Sequence, residues 1–120
     1  MEEREKKILR CDKLLEEVKK LGRGCSLRFG GAAPVSTPPE LLSMLAECYD
    51  YHVRMGVAKT TATPPEVLAF LAGDDNWWVR EAVAGNRSTP QASLNRLLKS
   101  GLKPIQNATR ANLAAKLLRL

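Results

Sequence analysis

The chain has 120 residues, 44% hydrophobic and 27% charged, with a formal net charge of +6. This is the length and composition of one folded domain. Aromatics at 5% are too few for a typical β-sandwich, and no apolar run approaches the roughly 18–20 residues of a membrane span.

Residues 2–21 read as one helix, with Ile8, Cys11, Leu14, Leu15, Val18 and Leu21 along one side. Glu2/Lys6, Glu3/Lys7 and Glu16/Lys20 stand at i,i+4 in the favourable order. Gly22 and Gly24 supply a stop. The opening Met-Glu-Glu-Arg-Glu-Lys-Lys has no apolar centre, so it does not read as a secretory signal, and a cytoplasmic protein is the expectation. Residues 22–36 are rich in Gly and end near Pro34, which suits a loop with at most one turn of α- or 3₁₀-helix.

From Thr37 onward the chain repeats itself. Thr37-Pro38-Pro39-Glu40 returns as Thr63-Pro64-Pro65-Glu66, and Thr89-Pro90 stands one more step of 26 residues on. A fixed period of this size points to a helical-repeat solenoid. Each Thr reads as an N-cap, the following Pro as the first helical residue, and Glu40 and Glu66 as the far half of a capping box. First-helix core positions are then Leu41, Leu42, Met44 and Leu45, Val67, Leu68, Phe70 and Leu71, and Leu94, Leu97 and Leu98. A second short helix follows in each unit, capped by Asp50 and Asn76. Val53-Arg54-x-x-Val57-Ala58 there matches Val79-Arg80-x-x-Val83-Ala84. The third copy is degraded to Ile105-Gln106-x-x-Thr109-Arg110, and one step back lies Leu27-Arg28. The expected organisation is a capping helix at 1–24, a half-repeat at 25–36, repeats at 37–62 and 63–88, and a divergent unit at 89–120, all in one domain.

The stretch from Thr63 to Pro90 closely resembles the leucine-rich repeat variant family, whose pattern is V-R-x-x-V-A-x-N-x-x-T-P-x-x-L-x-x-L. Val79, Arg80, Val83, Ala84, Asn86, Thr89, Pro90, Leu94 and Leu97 match it, and Thr60 stands where the earlier copy would have Asn. The resemblance spans residues 27–115 and implies a HEAT-like, right-handed superhelix of short paired helices, α/3₁₀ or α/α. It implies little about function. One member of that family holds an iron–sulfur centre on clustered cysteines, but Cys11 and Cys25 lack the ligand spacing.

Three features bear on function. Arg28, Arg54 and Arg80 recur at one position and end in Gln106. Such a row serves either hydrogen bonds to neighbouring carbonyls and to Asp50, Asp74 or Asp75, or a phosphate-binding face. Trp77-Trp78 aligns with Tyr51-His52, and one Trp is expected to pack while the other forms an aromatic recognition patch. Arg96, Lys99, Lys103, Arg110, Lys116 and Arg119 make residues 91–120 wholly basic, whereas residues 63–90 are net −2. Cys11, Cys25 and Cys48 are odd in number and widely spaced, which reads as free, buried thiols. Only one His is present, so neither a metal site nor general acid–base catalysis is indicated, and no cofactor is called. The reading is an all-α right-handed solenoid with an N-terminal capping helix. It is non-enzymatic and recognises a protein partner through Tyr51, His52, Trp77 and Trp78. The alternative is nucleic-acid binding through the Arg row and the basic end. No membrane is involved, and so few units favour homodimer formation.

Overall fold

Short helices built around leucine pairs need neighbours, because seven to nine residues do not hold a helix in water. A computed structural model describes residues 2–21, 27–34 and 36–119 and shows how they find them. The described residues contain seven α-helices, one 3₁₀ turn and no strand. Helix α1 spans Glu3–Lys19 and the 3₁₀ turn Leu27–Phe29. Then come α2 (Pro39–Leu45), α3 (Tyr51–Lys59), α4 (Pro65–Leu71), α5 (Trp77–Gly85), α6 (Gln91–Leu98) and α7 (Lys103–Leu118). Helix α3 packs against the 3₁₀ turn on one side and α5 on the other, and α5 packs against α7. None of these helices is long and apolar enough to cross a membrane. The expected Gly22–Gly24 stop and Cys25 lie outside the described residues.

Burial follows the 26-residue step. Leu27, Val53, Val79 and Ile105 are fully buried, as are Leu42, Leu68 and Leu94, and Leu45, Leu71 and Leu97 are nearly so. Met44 and Phe70 depart from the expected core and are 49% and 59% exposed. On a helix of two turns, Leu42 and Leu45 occupy the inward face. Met44, about 200° around from Leu42, must face out. Gly56 lacks a side chain because a Cβ there would collide with the Gly31 carbonyl and Leu27, so α3 can approach the preceding turn closely.

The helix starts differ from expectation in the first helix of each unit. Pro38, Pro64 and Pro90 are the N-cap residues, and none of them, nor Glu40 or Glu66, makes a side-chain cap hydrogen bond. A residue before proline is excluded from the helical region, so in Pro38-Pro39 and Pro64-Pro65 the helix starts at the second proline. Pro90 is followed by Gln91 and takes the same extended conformation without that constraint. Thr63 and Thr89 each stand one position outside the N-cap. Their buried hydroxyls donate backward, to the carbonyls of Val57 at 2.8 Å and Val83 at 2.7 Å. The second helices are capped as expected, His52 N–H donating to Asp50 and Trp78 N–H to Asn76, each at 2.9 Å.

Adjacent units are joined by buried side chains acting on backbone. Asn86 Nδ2 donates to the carbonyls of Ala58 at 2.8 Å and Thr60 at 2.9 Å. Asn112 repeats this on Ala84 and Asn86, both at 2.8 Å. Thr60, with a shorter side chain, accepts from Ala33 N–H at 2.9 Å and donates to Gly56 O at 2.9 Å.

Helix α1 buries Cys11, Leu15 and Val18 and packs against α2. Cys11 is not a free thiol: it is disulfide-bonded to Cys48 in the turn after α2, with Cα atoms 5.4 Å apart. Spacing along the chain carries no trace of α1 folding back onto that turn, so the pair is invisible until the helices are packed. The helix-surface ion pairs also differ from the i,i+4 expectation. They form at i,i+3, as Glu3–Lys6, Glu16–Lys19 and Glu17–Lys20, all well exposed and of small energetic weight.

Two outcomes are expected from these contacts. Asn86→Ala strands two buried carbonyls and lowers stability by about 2–4 kcal/mol, measured as the shift in urea midpoint at constant m-value. Reducing the chain, or Cys11→Ser with Cys48→Ser, removes a cross-link spanning 37 positions. Thermal unfolding with and without reductant reads that loss, about 3–4 kcal/mol on loop entropy; an unshifted transition in wild type would show the staple to be energetically silent.

Candidate recognition edge

Side-chain caps fix the starts of α3 and α5, and the first two residues of each second helix are partly or well exposed. In α3 these are Tyr51 and His52, in α5 Trp77 and Trp78, and in α7 Lys103 and Pro104. Because α3 lies beside α5, the four rings meet. Tyr51 stacks on His52 with centroids 4.1 Å apart and planes at 28°. It also faces Trp78 at 6.0 Å and 19°. Trp78 in turn lies 4.4 Å from Trp77 at 25°. Tyr51 and Trp77 pack against the core, whereas Trp78 stays 45% exposed. His52 Nδ1 lies 3.1 Å from Asp50 Oδ1, which holds the imidazole at the rim of the stack. The predicted aromatic residues are therefore brought together, with Trp78 as the outward ring.

The arginine row occupies a different place. Arg54 Nη1 donates to Cys48 O at 2.8 Å and Arg80 Nη1 to Asp74 O at 2.6 Å, in each case to the carbonyl six residues earlier. Gln106 makes the same bond to Ser100 O. Arg54 also forms a two-pronged, largely buried pair with Asp74, at 2.8 and 3.3 Å, and Asp74 accepts from Asn76 N–H at 2.9 Å. Arg28 pairs with Asp12 of α1 at 3.1 Å, both half-exposed. The row thus ties the turn between the helices of each unit, leaving the guanidinium of Arg54 little free surface. The constant offset of six in Arg54, Arg80 and Gln106 is a sequence signal, but one that is readable only once the acceptor is known to be backbone.

The basic end is more open. Arg96, Lys99, Lys103, Arg110 and Arg119 are exposed, and none is ion-paired among the described residues. Lys116 is partly buried and donates to Thr89 O at 2.6 Å. Arg96, Lys99 and Lys103 do not share one helix, since α6 ends at Leu98 and α7 begins at Lys103. The residues that sequence reading passed over are Asn112, which stands one period after Asn86, and Gln106 as an active member of the row. No family model, curated protein or solved structure matches the chain.

Because an amide already fills the last place in the row, at Gln106, Arg80→Gln should keep stability within about 1 kcal/mol of wild type, whereas Arg80→Ala should lose about 1–2 kcal/mol. Chemical denaturation of the two variants side by side checks this, and equal losses would remove the carbonyl bond as the purpose of the row.

Proposed function

We propose that the chain is a non-enzymatic helical-repeat scaffold that recognises a protein partner through the edge formed by Tyr51, His52, Trp77 and Trp78. In this reading it is a right-handed solenoid of leucine-rich-repeat-variant type, with residues 1–24 as its cap. The carrying observation is the half-exposed Trp78, held in a four-ring stack at the starts of two packed helices. A stacked indole is already ordered, so binding it costs little side-chain entropy, and aromatic anchors of this kind dominate interface energetics.

A second reading has its own observation. Lys103 opens α7 as Trp77 opens α5, and Arg96, Lys99, Lys103, Arg110 and Arg119 are exposed and unpaired among the described residues; such charge together with a stacking surface suits single-stranded nucleic acid. Against it, Asp50 and Asp75 flank the aromatic rings in sequence and would repel a phosphate chain.

The two readings separate in one set of experiments. Trp78→Ala should leave stability within about 1 kcal/mol, because the ring is half in solvent, while abolishing specific capture of the partner in cross-linked pull-downs. Under the second reading, gel shifts with single-stranded DNA should weaken steeply between low and physiological salt, and Arg110→Glu with Arg119→Glu should flatten that slope. Capture insensitive to Trp78→Ala would remove the aromatic edge as the site.

A further inference from the structure

A groove of about 810 Å³ runs between α1 and the ends of α2 and α4, and it shares no residue with the aromatic edge. Its first wall is one face of α1, where Lys7, Arg10, Cys11 and Leu14 follow the i, i+3, i+4, i+7 pattern. The opposite wall carries Met44, Tyr49 and Phe70, which are 49%, 49% and 59% exposed. Met44 and Phe70 hold the same place on α2 and α4, one period apart. Three large apolar side chains presented together into a groove are unusual on a surface that has nothing to bind.

The charges of the groove that lack a close partner are divided between its walls, while Arg54 and Asp74, which also line it, neutralise each other as a pair. Lys7 and Arg10 stand on the α1 side. Neither is ion-paired among the described residues, Lys7 having given up the expected partner Glu3 to Lys6. Glu47 and Asp75 stand on the turn side. Glu47 is unpaired among the described residues, and Asp75, with a side chain 97% exposed, is reached only at 3.7 Å by Arg54. The Cys11–Cys48 disulfide joins the two walls, fixing the α1 face relative to the turn and so setting the width of the groove. A concave surface that is apolar in the middle, cationic on one wall and anionic on the other is complementary to a peptide of opposite polarity. The carboxylates also disfavour a nucleic-acid backbone here.

We propose that this groove binds a short linear segment of a partner protein, apolar at its centre, acidic where it meets Lys7 and Arg10, and basic where it meets Glu47 and Asp75. The segment seats its apolar side chains on Met44, Tyr49 and Phe70 and inserts its two end charges between unpaired groups of opposite sign. This is a second site on the scaffold, and it stands or falls independently of Trp78.

The test uses the full oxidised chain and short fluorescein-labelled peptides with a Leu-Phe-Leu centre. One peptide carries Asp residues at one end and Lys residues at the other, a second has Asn and Gln in their place, and a third has Lys at both ends. Anisotropy titration should show the mixed-charge peptide binding about tenfold more tightly than the neutral one. Phe70→Ser should weaken it by about tenfold. Lys7→Glu with Arg10→Glu should weaken the mixed-charge peptide about fivefold or more and strengthen the doubly basic one, a reversal that misfolding cannot produce. All these residues are solvent-facing, so thermal unfolding should be unchanged and Trp78→Ala should have no effect on any peptide. Equal affinity for the charged and neutral peptides overturns the proposal, as does binding indifferent to both groove variants. Loss of binding in Trp78→Ala also overturns it, by moving the site to the aromatic edge. Self-association of the chain that blocks the peptide and is broken by Phe70→Ser would overturn it in favour of a second copy as the occupant.

Discussion

A helix of n residues leaves four carbonyls unpaired at its C-terminus whatever its length. In helices of seven to nine residues that is about half of all the acceptors, and here those of Val57, Ala58, Val83 and Ala84 belong to fully buried residues. Leaving such groups bare would cost about 1–3 kcal/mol each, enough to exhaust the stability of a small domain. The structure answers with a set of side chains aimed at backbone. Thr63 and Thr89 reach the carbonyls of Val57 and Val83, Asn86 and Asn112 reach the ends of α3 and α5, and Arg54, Arg80 and Gln106 reach the turns.

The apolar core is the complement of this polar lattice. Buried side chains such as Leu27, Val53, Val79 and Ile105 drive the helices together but are indifferent to small sliding. The directional bonds of Asn86 and Asn112 are not, so they set the register in which α3, α5 and α7 pack. With register fixed, the first two residues of α3 and α5 are carried to the same edge, and the four rings stack there as a consequence. The arginine row is part of the same lattice, which accounts for its regular recurrence.

Irregularity concentrates at the two ends. At the N-terminal end α1 packs on α2, is held by a disulfide and leaves a groove beside α4. At the C-terminal end α7 continues to Leu118, and the surface there is cationic without counter-charges among the described residues. Surfaces that the lattice does not need are free to carry recognition, and both ends hold side chains that no internal contact explains: Met44, Tyr49 and Phe70 at one, Arg110 and Arg119 at the other.

Much of the architecture is local and was therefore legible in the residues. The all-helical class, the starts of α3 and α5 at Asp50 and Asn76, and the inward places of the leucine pairs depend on periodicity and capping within a few positions. The assignment of Thr as a cap failed in the first two units for a local reason too, because Pro-Pro moves the helix start by one residue; at Thr89 the same shift occurs with Gln91 after Pro90. What only the tertiary structure decided is who meets whom: Cys11 with Cys48, Trp78 outward and Trp77 inward, Lys7 turned into a groove, Asn86 on carbonyls 26 and 28 residues away. Those acceptors are backbone carbonyls, which every residue carries. The sequence can name a donor such as Asn or Arg, but only packing determines which of many identical acceptors it finds.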